Sequence, residues 1–278
     1  MITFIGFMQG RLCDPVGGMI QAFPWDEWES EFSTAESIGL HNMEWTLDQE
    51  RLYENPLMTE EGRARIISLS TQHELSIPSL TGDCFMQAPF WKADGHVKTQ
   101  LQRDFISVCR ACSDVGINIV VVPLVDNGAL ETIEQENDLV DFLLREHISL
   151  EKNKTKIVFE SDYTAAELQR FIERLPQDTF GINYDMGNSA ALGFSAIEEL
   201  SAYGSRVFNV HVKDRPLGGT TVPLGTGSTH FDIVFAELSK AGYAGNFILQ
   251  TARASNNDHV GVLSHYRDMT LDWIHRHM

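Results

Sequence analysis

Four polar side chains sit at the ends of four short apolar runs. Glu160 ends Lys156-Ile-Val-Phe-Glu-Ser161, Asp185 ends Phe180-Gly-Ile-Asn-Tyr-Asp185, His211 lies in Val207-Phe-Asn-Val-His-Val-Lys213, and Gln250 follows Phe247-Ile-Leu249. Read as strands, these runs send alternate side chains to opposite faces. Ile157 and Phe159 then flank Glu160 on the far face, Ile182 and Tyr184 flank Asp185, and Phe247 and Leu249 flank Gln250. In the His211 strand, Phe208, Val210 and Val212 take one face and Asn209, His211 and Lys213 the other. Buried carboxylates and an imidazole must be paired, bound to an ion or used in chemistry, because leaving them unpaired is costly. Carboxylate oxygens and an imidazole nitrogen suit one divalent ion, Mn²⁺, Mg²⁺, Co²⁺ or Zn²⁺, with positions left for substrate oxygens. Gln250 could add a neutral oxygen as a fourth ligand. The plainer alternative is a set of polar groups that satisfy one another without an ion.

The elements that must position these groups alternate in type along the chain. Strands are expected over Ile2–Phe7, Leu40–Leu47, Ser76–Thr81, Asn118–Pro123, Lys156–Ser161, Phe180–Met186, Val207–Lys213 and Phe247–Thr251. Helices are expected from Pro24 to Gly39, then over Glu60–His73, Leu101–Val115, Glu134–Leu150, Thr164–Leu175, Ile197–Tyr203, Asp232–Lys240 and His259–His277. Pro24 and the acids after it suit a first turn, and Thr164 can cap its helix. The stretch after the third strand, with Asp83, Phe85, Phe90 and Trp91, reads as a long loop. Eight strand–helix units without a linker or charge block imply a (β/α)₈ TIM barrel, one α/β domain over residues 1–278. No G-x-G-x-x-G follows the first strand, which argues against a doubly wound dinucleotide-binding sheet. Barrel chemistry lies at the C-terminal strand ends, where the second strand adds Glu44 to Glu160, Asp185, His211 and Gln250.

Composition excludes some classes. The 278 residues carry a formal charge of -18, the wrong sign for a general phosphate-backbone binder, so no nucleic acid partner is expected. No apolar run has membrane length, and Met1 leads straight into a strand, so a soluble protein of the cytoplasm is expected. Cys109 and Cys112 form a lone C-x-x-C inside a helix-like run, which reads as a structural feature rather than a redox or zinc site.

Further segments sharpen the picture. Phe7-Met-Gln-Gly-Arg-Leu12, Phe23-Pro-Trp25 with Trp28 and Glu31-Phe32, Met43-Glu-Trp-Thr46, Phe159-Glu160, Tyr184-Asp-Met-Gly-Asn188, Val210-His-Val-Lys-Asp-Arg215 and Leu224-Gly-Thr-Gly227 span nearly the whole chain. On them the chain resembles the xylose-isomerase-like TIM-barrel superfamily of sugar and sugar-phosphate isomerases and epimerases. The resemblance implies a Glu, an Asp, a His and a second Glu on one divalent metal, falling here on Glu160, Asp185, His211 and position 250. It also implies that Arg215 contacts substrate and that two glutamates act as acid and base on opposite substrate faces. The metal would polarise a carbonyl and its neighbouring hydroxyl, so that the α C–H is acidified and an ene-diolate stabilised. Such proteins often form dimers or tetramers, so a homo-oligomer acting on a small carbohydrate is expected.

The sequence departs from that pattern at Gln250, which stands where the second Glu is expected. An amide can ligate through oxygen but cannot exchange a proton near neutral pH. Single-base isomerisation through Glu160 survives this change. A two-base epimerisation would need another group, for which Glu44, His73, Asp83 and Lys213 are open alternatives. Losing a negative ligand should also weaken metal binding. Glu44, Lys213 and Arg215 would position substrate, and Arg11 and Arg253, just past strand ends, could meet a carboxylate or phosphate. Backbone N–H groups of Gly218-Gly219 and Gly225–Ser228 could cradle a phosphate or belong to an ordinary loop or lid. Phe85, Phe90, Trp91 and Trp25 could wall a sugar ring or serve the core. His230 and His259 are expected in loops near the mouth, and Asn256–His259 caps the last helix.

The expected activity is metal-dependent isomerisation or epimerisation of a small sugar, keto-polyol or sugar phosphate. Two rivals use the same site: a dehydratase of a keto-inositol, and a sugar-binding barrel without turnover. A DNA-repair endonuclease would need more metals, more histidines and a basic groove than this chain offers.

Overall fold

The structure, a computed structural model, describes residues 5–278. Eight parallel strands form a closed barrel in chain order. They are β1 (Ile5–Met8), β2 (Asn42–Thr46), β3 (Ser76–Thr81), β4 (Ile119–Leu124), β5 (Lys156–Ser161), β6 (Phe180–Asp185), β7 (Val207–Val212) and β8 (Asn246–Leu249). Pairing of β1 with β8 closes the ring, with Phe7 opposite Leu249. The expected first strand is present from Ile5, and residues 2–4 lie outside the described residues. The helices are α1 (Ser30–Ser37), α2 (Glu60–Gln72), α3 (Asp83–Gln87), α4 (Gly95–Asp114), α5 (Ile133–Lys152), α6 (Ala165–Ile172), α7 (Met186–Leu192), α8 (Ala196–Tyr203), α9 (Phe231–Lys240) and α10 (His259–His277).

Local chemistry sets the element ends. Thr164 and Glu167 form a reciprocal capping box on α6, as a Thr three residues before a Glu can. Asp258 caps α10 through the Gly261 N–H. Asp185 caps α7 and so does two jobs, ending β6 and starting a helix. Gly193, at φ 74°, ends α7 in the left-handed region where a side chain would be strained.

Three expectations change. Pro24–Glu29 forms turns, and the helix starts at Ser30. The presumed loop after β3 contains α3, and α4 begins at Gly95, six residues before Leu101. Phe208 does not share a face with Val210 and Val212. Between β6 and β7 the register passes from Ile182↔Val207 to Asn183↔Asn209, so Phe208 is the extra residue of a bulge. Its ring turns onto the barrel floor with Ile119, Val121 and Val158. Gly181 makes room for it, since a Cβ there would collide with the ring, and Lys156 Nζ lies 4.4 Å from the ring centre.

The main core lies between strands and helices, where alternate strand residues such as Ile157, Phe159, Ile182, Tyr184, Val210 and Val212 are buried. Phe85, Phe90 and Trp91 belong to it and pack with Phe105 and Phe142. Trp25 packs edge-on against Phe23 under the Arg51 guanidinium. These aromatics therefore serve packing and do not wall the cavity described below. Cys109 and Cys112 are buried thiols within α4, unpaired, with pKa values raised chiefly by burial. Among the described residues no helix is long and apolar enough to cross a membrane.

Candidate active site

Above the apolar floor the barrel interior is polar. Glu44 is fully buried on β2. Its Oε1 lies 2.8 Å from His211 Nε2, and its Oε2 accepts from Ser79 Oγ at 2.6 Å and Asn209 Nδ2 at 2.9 Å. A carboxylate on Nε2 makes that nitrogen the donor and leaves Nδ1 to face the other way. Nδ1 lies 3.2 Å from Glu160 Oε2 and 3.8 Å from Asp185 Oδ2. One ligand atom each from Glu160, Asp185 and His211 falls within 4.8 Å of the others. Donors about 2.1 Å from a common ion sit about 3 Å apart at right angles, so small shifts would close this set on a divalent cation.

Neighbours aim each ligand. Asn183 Nδ2 donates to Glu160 Oε2 at 2.9 Å, and Asn188 Nδ2 to Oε1 at 2.5 Å. Arg215 in turn donates to Asn188 Oδ1 at 2.7 Å. Asp185 Oδ1 accepts the Asn188 N–H at 2.8 Å, while Oδ2 takes the Lys213 ammonium at 3.2 Å. Burial pushes Asp185 up, but Lys213 and His211 outweigh it and hold its pKa at about 2. Burial disfavours a charged His211, yet the Glu44 charge and bonds to Asp185 and Glu160 raise its pKa well above the usual value. With His211 neutral, as a metal-ligating imidazole must be, Glu44, Glu160 and Asp185 carry three formal negative charges against one from Lys213. The two left over match a divalent ion, so the donor set, geometry and charge all fit one.

Gln250 follows β8 at the rim. A lysine can only donate, so Gln250 Oε1 faces Lys213 Nζ at 3.1 Å and its NH₂ faces Gln21 Oε1 at 2.9 Å. Both ends of this amide are thus engaged. Arg11 is buried and bonds to the carbonyls of Thr251 and Ile20. Arg253 bonds to the carbonyls of Ile20 and Cys13. Both arginines hold the loop after β1 in place rather than reaching the cavity. His73 pairs with Glu36 away from the mouth, at the end of α2. His230 precedes α9 on the surface, and His259 is buried 3.3 Å from Asp14.

A cavity of about 430 Å³ opens over the cluster. Glu160, Lys213, Arg215 and Gln250 line it, with Gln21, Asp83, Asn188, Pro123 and Val125 among the rest. A larger hollow, about 680 Å³, lies at the other barrel end around Phe208, Lys154 and Lys156. The chemistry-bearing side chains converge under the smaller one, at the C-terminal strand ends. The glycine-rich segment after β7 holds no free cradle. Gly225, Gly227 and Thr229 donate their N–H groups to the carboxylate of fully buried Asp214. The anion at this nest is part of the chain.

The sequence placed Asn209 on the inward face with His211 but gave it no role, and it gave none to Asn183 or Ser79, although Asn183 shares a strand face with Asp185. Gln21 lies in an irregular loop, where no periodicity could mark it.

Known proteins give a consistent setting. L-ribulose-5-phosphate 3-epimerase UlaE of Salmonella heidelberg is 23% identical over 247 residues, covering 85% of this chain and 86% of that protein. The solved structure of the IOLI protein with a binding zinc atom superposes with a TM-score of 0.80 at 15% identity, covering 99% of both chains. D-psicose 3-epimerase with D-tagatose from Clostridium cellulolyticum H10 gives 0.74 at 10% identity, again over 99% of each. The sequence model of one family matches residues 32–267, most of the length. By that match, and with the closed barrel it requires, the chain belongs to the xylose isomerase-like TIM barrel family.

Proposed function

We propose that the chain is a divalent-metal-dependent isomerase or epimerase of a small sugar, keto-polyol or sugar phosphate, acting by proton abstraction next to a carbonyl. The observation that carries this reading is the convergence of Glu160, Asp185 and His211 beneath an open polar cavity, with His211 fixed from behind by Glu44. The names of the similar proteins, epimerases of ketoses and of a ketose phosphate, support the substrate class.

Glu160 Oε2, Asp185 Oδ2 and His211 Nδ1 would hold the ion, and Gln250 Oε1 could join only by sharing its bond with Lys213. When bound, a divalent ion supplies Lewis-acid polarisation of a carbonyl and its neighbouring hydroxyl. Glu160 lines the cavity and serves as the base that takes the α proton. The Asn188 bond, itself braced by Arg215, fixes the direction of that carboxylate. Lys213 and Arg215 reach the cavity and offer donors to substrate hydroxyls or a phosphate. Glu44 does not line the cavity and acts through His211. A homo-oligomer, dimer or tetramer, in the cytoplasm belongs to the same proposal, and sedimentation of the purified protein tests its size.

The test is turnover in D₂O. Protein supplied with Mn²⁺ or Zn²⁺ is incubated with L-ribulose 5-phosphate, L-ribulose, D-psicose and D-tagatose and followed by NMR. The expected result is deuterium next to the carbonyl together with an epimer or aldose, both abolished in Glu160→Gln. Loss of water from a keto-inositol, without isomerisation of any ketose, would assign a dehydratase. Binding without exchange on any compound would leave a sugar-binding barrel.

A further inference from the structure

With Gln250 unable to exchange a proton, a reaction that inverts a carbon needs its second acid/base group elsewhere. Among the described residues, the titratable side chains that line the cavity are Asp83, Asp126, Glu160, Asp162, Lys213 and Arg215. Asp162 stands two residues beyond Glu160 and is exposed. Asp126 is an exposed residue of the turn after β4. Lys213 and Arg215 are tied to Asp185, Gln250, Asn188 and Gly219. Glu44 lies beneath His211 with both oxygens engaged and does not reach the cavity.

Asp83 differs from all of these. It stands just past the end of β3, is 8% exposed, and has no ion-pair partner among the described residues. Its Oδ2 accepts from Gln21 Nε2 at 2.6 Å, and Gln21 Oε1 accepts from Gln250. The chain Asp83–Gln21–Gln250 thus joins the rim at β3 to the position where the sequence lacks its second carboxylate. Oδ1 takes no hydrogen bond from the described residues and is not sealed from the cavity. β3 and β5 are separated by one strand, so their ends are about 10 Å apart. Both carboxyl groups line the same cavity, where the substrate carbon would lie.

We propose that Asp83 is the second acid/base residue of this site, replacing the carboxylate absent at position 250. The assignment rests on the metal-dependent sugar-epimerase reading above. Glu160 removes the α proton, and the C–H electron pair passes into the ene-diolate. The Asp83 O–H then delivers its proton to the opposite face of the same carbon, and the pair returns to form the new C–H bond. Glu160 ends protonated and Asp83 ionised, and exchange with water resets both. Burial, with smaller contributions from Asp48, Glu160 and Glu44, pushes Asp83 up to about 7 against the Gln21 bond, so both of its forms are populated near neutral pH.

The test compares wild type, Asp83→Asn, Asp83→Glu and Glu160→Gln in D₂O, on whichever ketose of the panel above turns over. Two rates are read: deuterium uptake at the α carbon and inversion of that carbon. Asp83→Asn should lose about 10²-fold or more in inversion. Its uptake with retained configuration should fall by less than about tenfold, because Glu160 still removes and returns a proton on its own face. That surviving exchange also shows that the variant is folded. Asp83→Glu should recover part of the inversion, and Glu160→Gln should lose both rates. Inversion by Asp83→Asn within a few-fold of wild type overturns the role of Asp83 and leaves the epimerase reading intact. Equal loss of both rates in a folded Asp83→Asn variant also overturns it, in favour of a structural role. Absence of uptake and inversion in wild type on every ketose overturns the epimerase reading and this assignment with it.

Discussion

Removing the charge behind His211 should weaken the metal centre without touching any ligand. Glu44→Gln keeps the shape of the side chain and an oxygen to accept from His211 Nε2, 2.8 Å away. It changes a charge-assisted bond into a neutral one, a difference of about 1–2 kcal/mol. That corresponds to roughly 5–30-fold in affinity, overlapping the low end of the ~10–100-fold range typical of lost partners behind metal-bound histidines. The new NH₂ would also face Ser79 Oγ and Asn209 Nδ2, which now donate to Glu44 Oε2. Ser79 can rotate to accept, but Asn209 Nδ2 becomes a donor facing a donor. The unpaired group should cost about 1–3 kcal/mol of stability, or about 2–10 °C in Tm for a chain of this size. Metal titration against a competing chelator reads the first effect, and melting of the metal-free protein reads the second. Binding by Glu44→Gln within twofold of wild type, alongside complete loss in His211→Ala, would refute the argument that Glu44 acts through the imidazole.

Further outcomes follow from the same geometry. Asp214→Ala removes the acceptor of three backbone N–H groups and should destabilise the protein by about 3 kcal/mol or more, with amides of Gly225–Thr229 losing hydrogen-exchange protection first. Gln250→Glu should tighten metal binding by adding a negative ligand, and an unchanged metal titration curve would refute that. Asp83 supplies a pH signature in metal-free protein. Its folded pKa, raised to about 7 mainly by burial, exceeds the unfolded value of 3.8. The folded state therefore binds more protons between those values, and the stability Asp83 contributes below pH 4 is lost as pH rises through 7. Asp83→Asn should remove that decline, so its Tm should gain on wild type at pH 8 relative to pH 4. A wild-type minus variant difference that does not change with pH would contradict this.

Much of the barrel and its ligand cluster was legible because alternation is a local property. β5, β6 and β7 each carry an apolar outer face, and parity alone brought Glu160, Asp185 and His211 inward. The same parity misplaced Phe208, because a bulge adds one residue and its register depends on the neighbouring strand and on space at Gly181. The glycine-rich loop read as a phosphate cradle or an ordinary loop, and three of its N–H groups are taken by Asp214, 11 to 15 residues upstream. Spacing shows that N–H groups are available and not which anion takes them. The roles of Asp83 and Gln21 depend on three segments meeting at the rim, from β3, the loop after β1 and β8. Contacts between residues so far apart in sequence leave no periodic trace.

The central claim is that Glu160, Asp185 and His211 form one metal site, and metal content tests it most directly. Tag-free protein loaded with Mn²⁺ or Zn²⁺, then exchanged into metal-free buffer, would be measured by mass spectrometry beside Glu160→Ala, Asp185→Ala and His211→Ala. About one equivalent in wild type and loss in each folded variant is the result this structure predicts. No retained metal in wild type, or full retention after removal of His211, would contradict it.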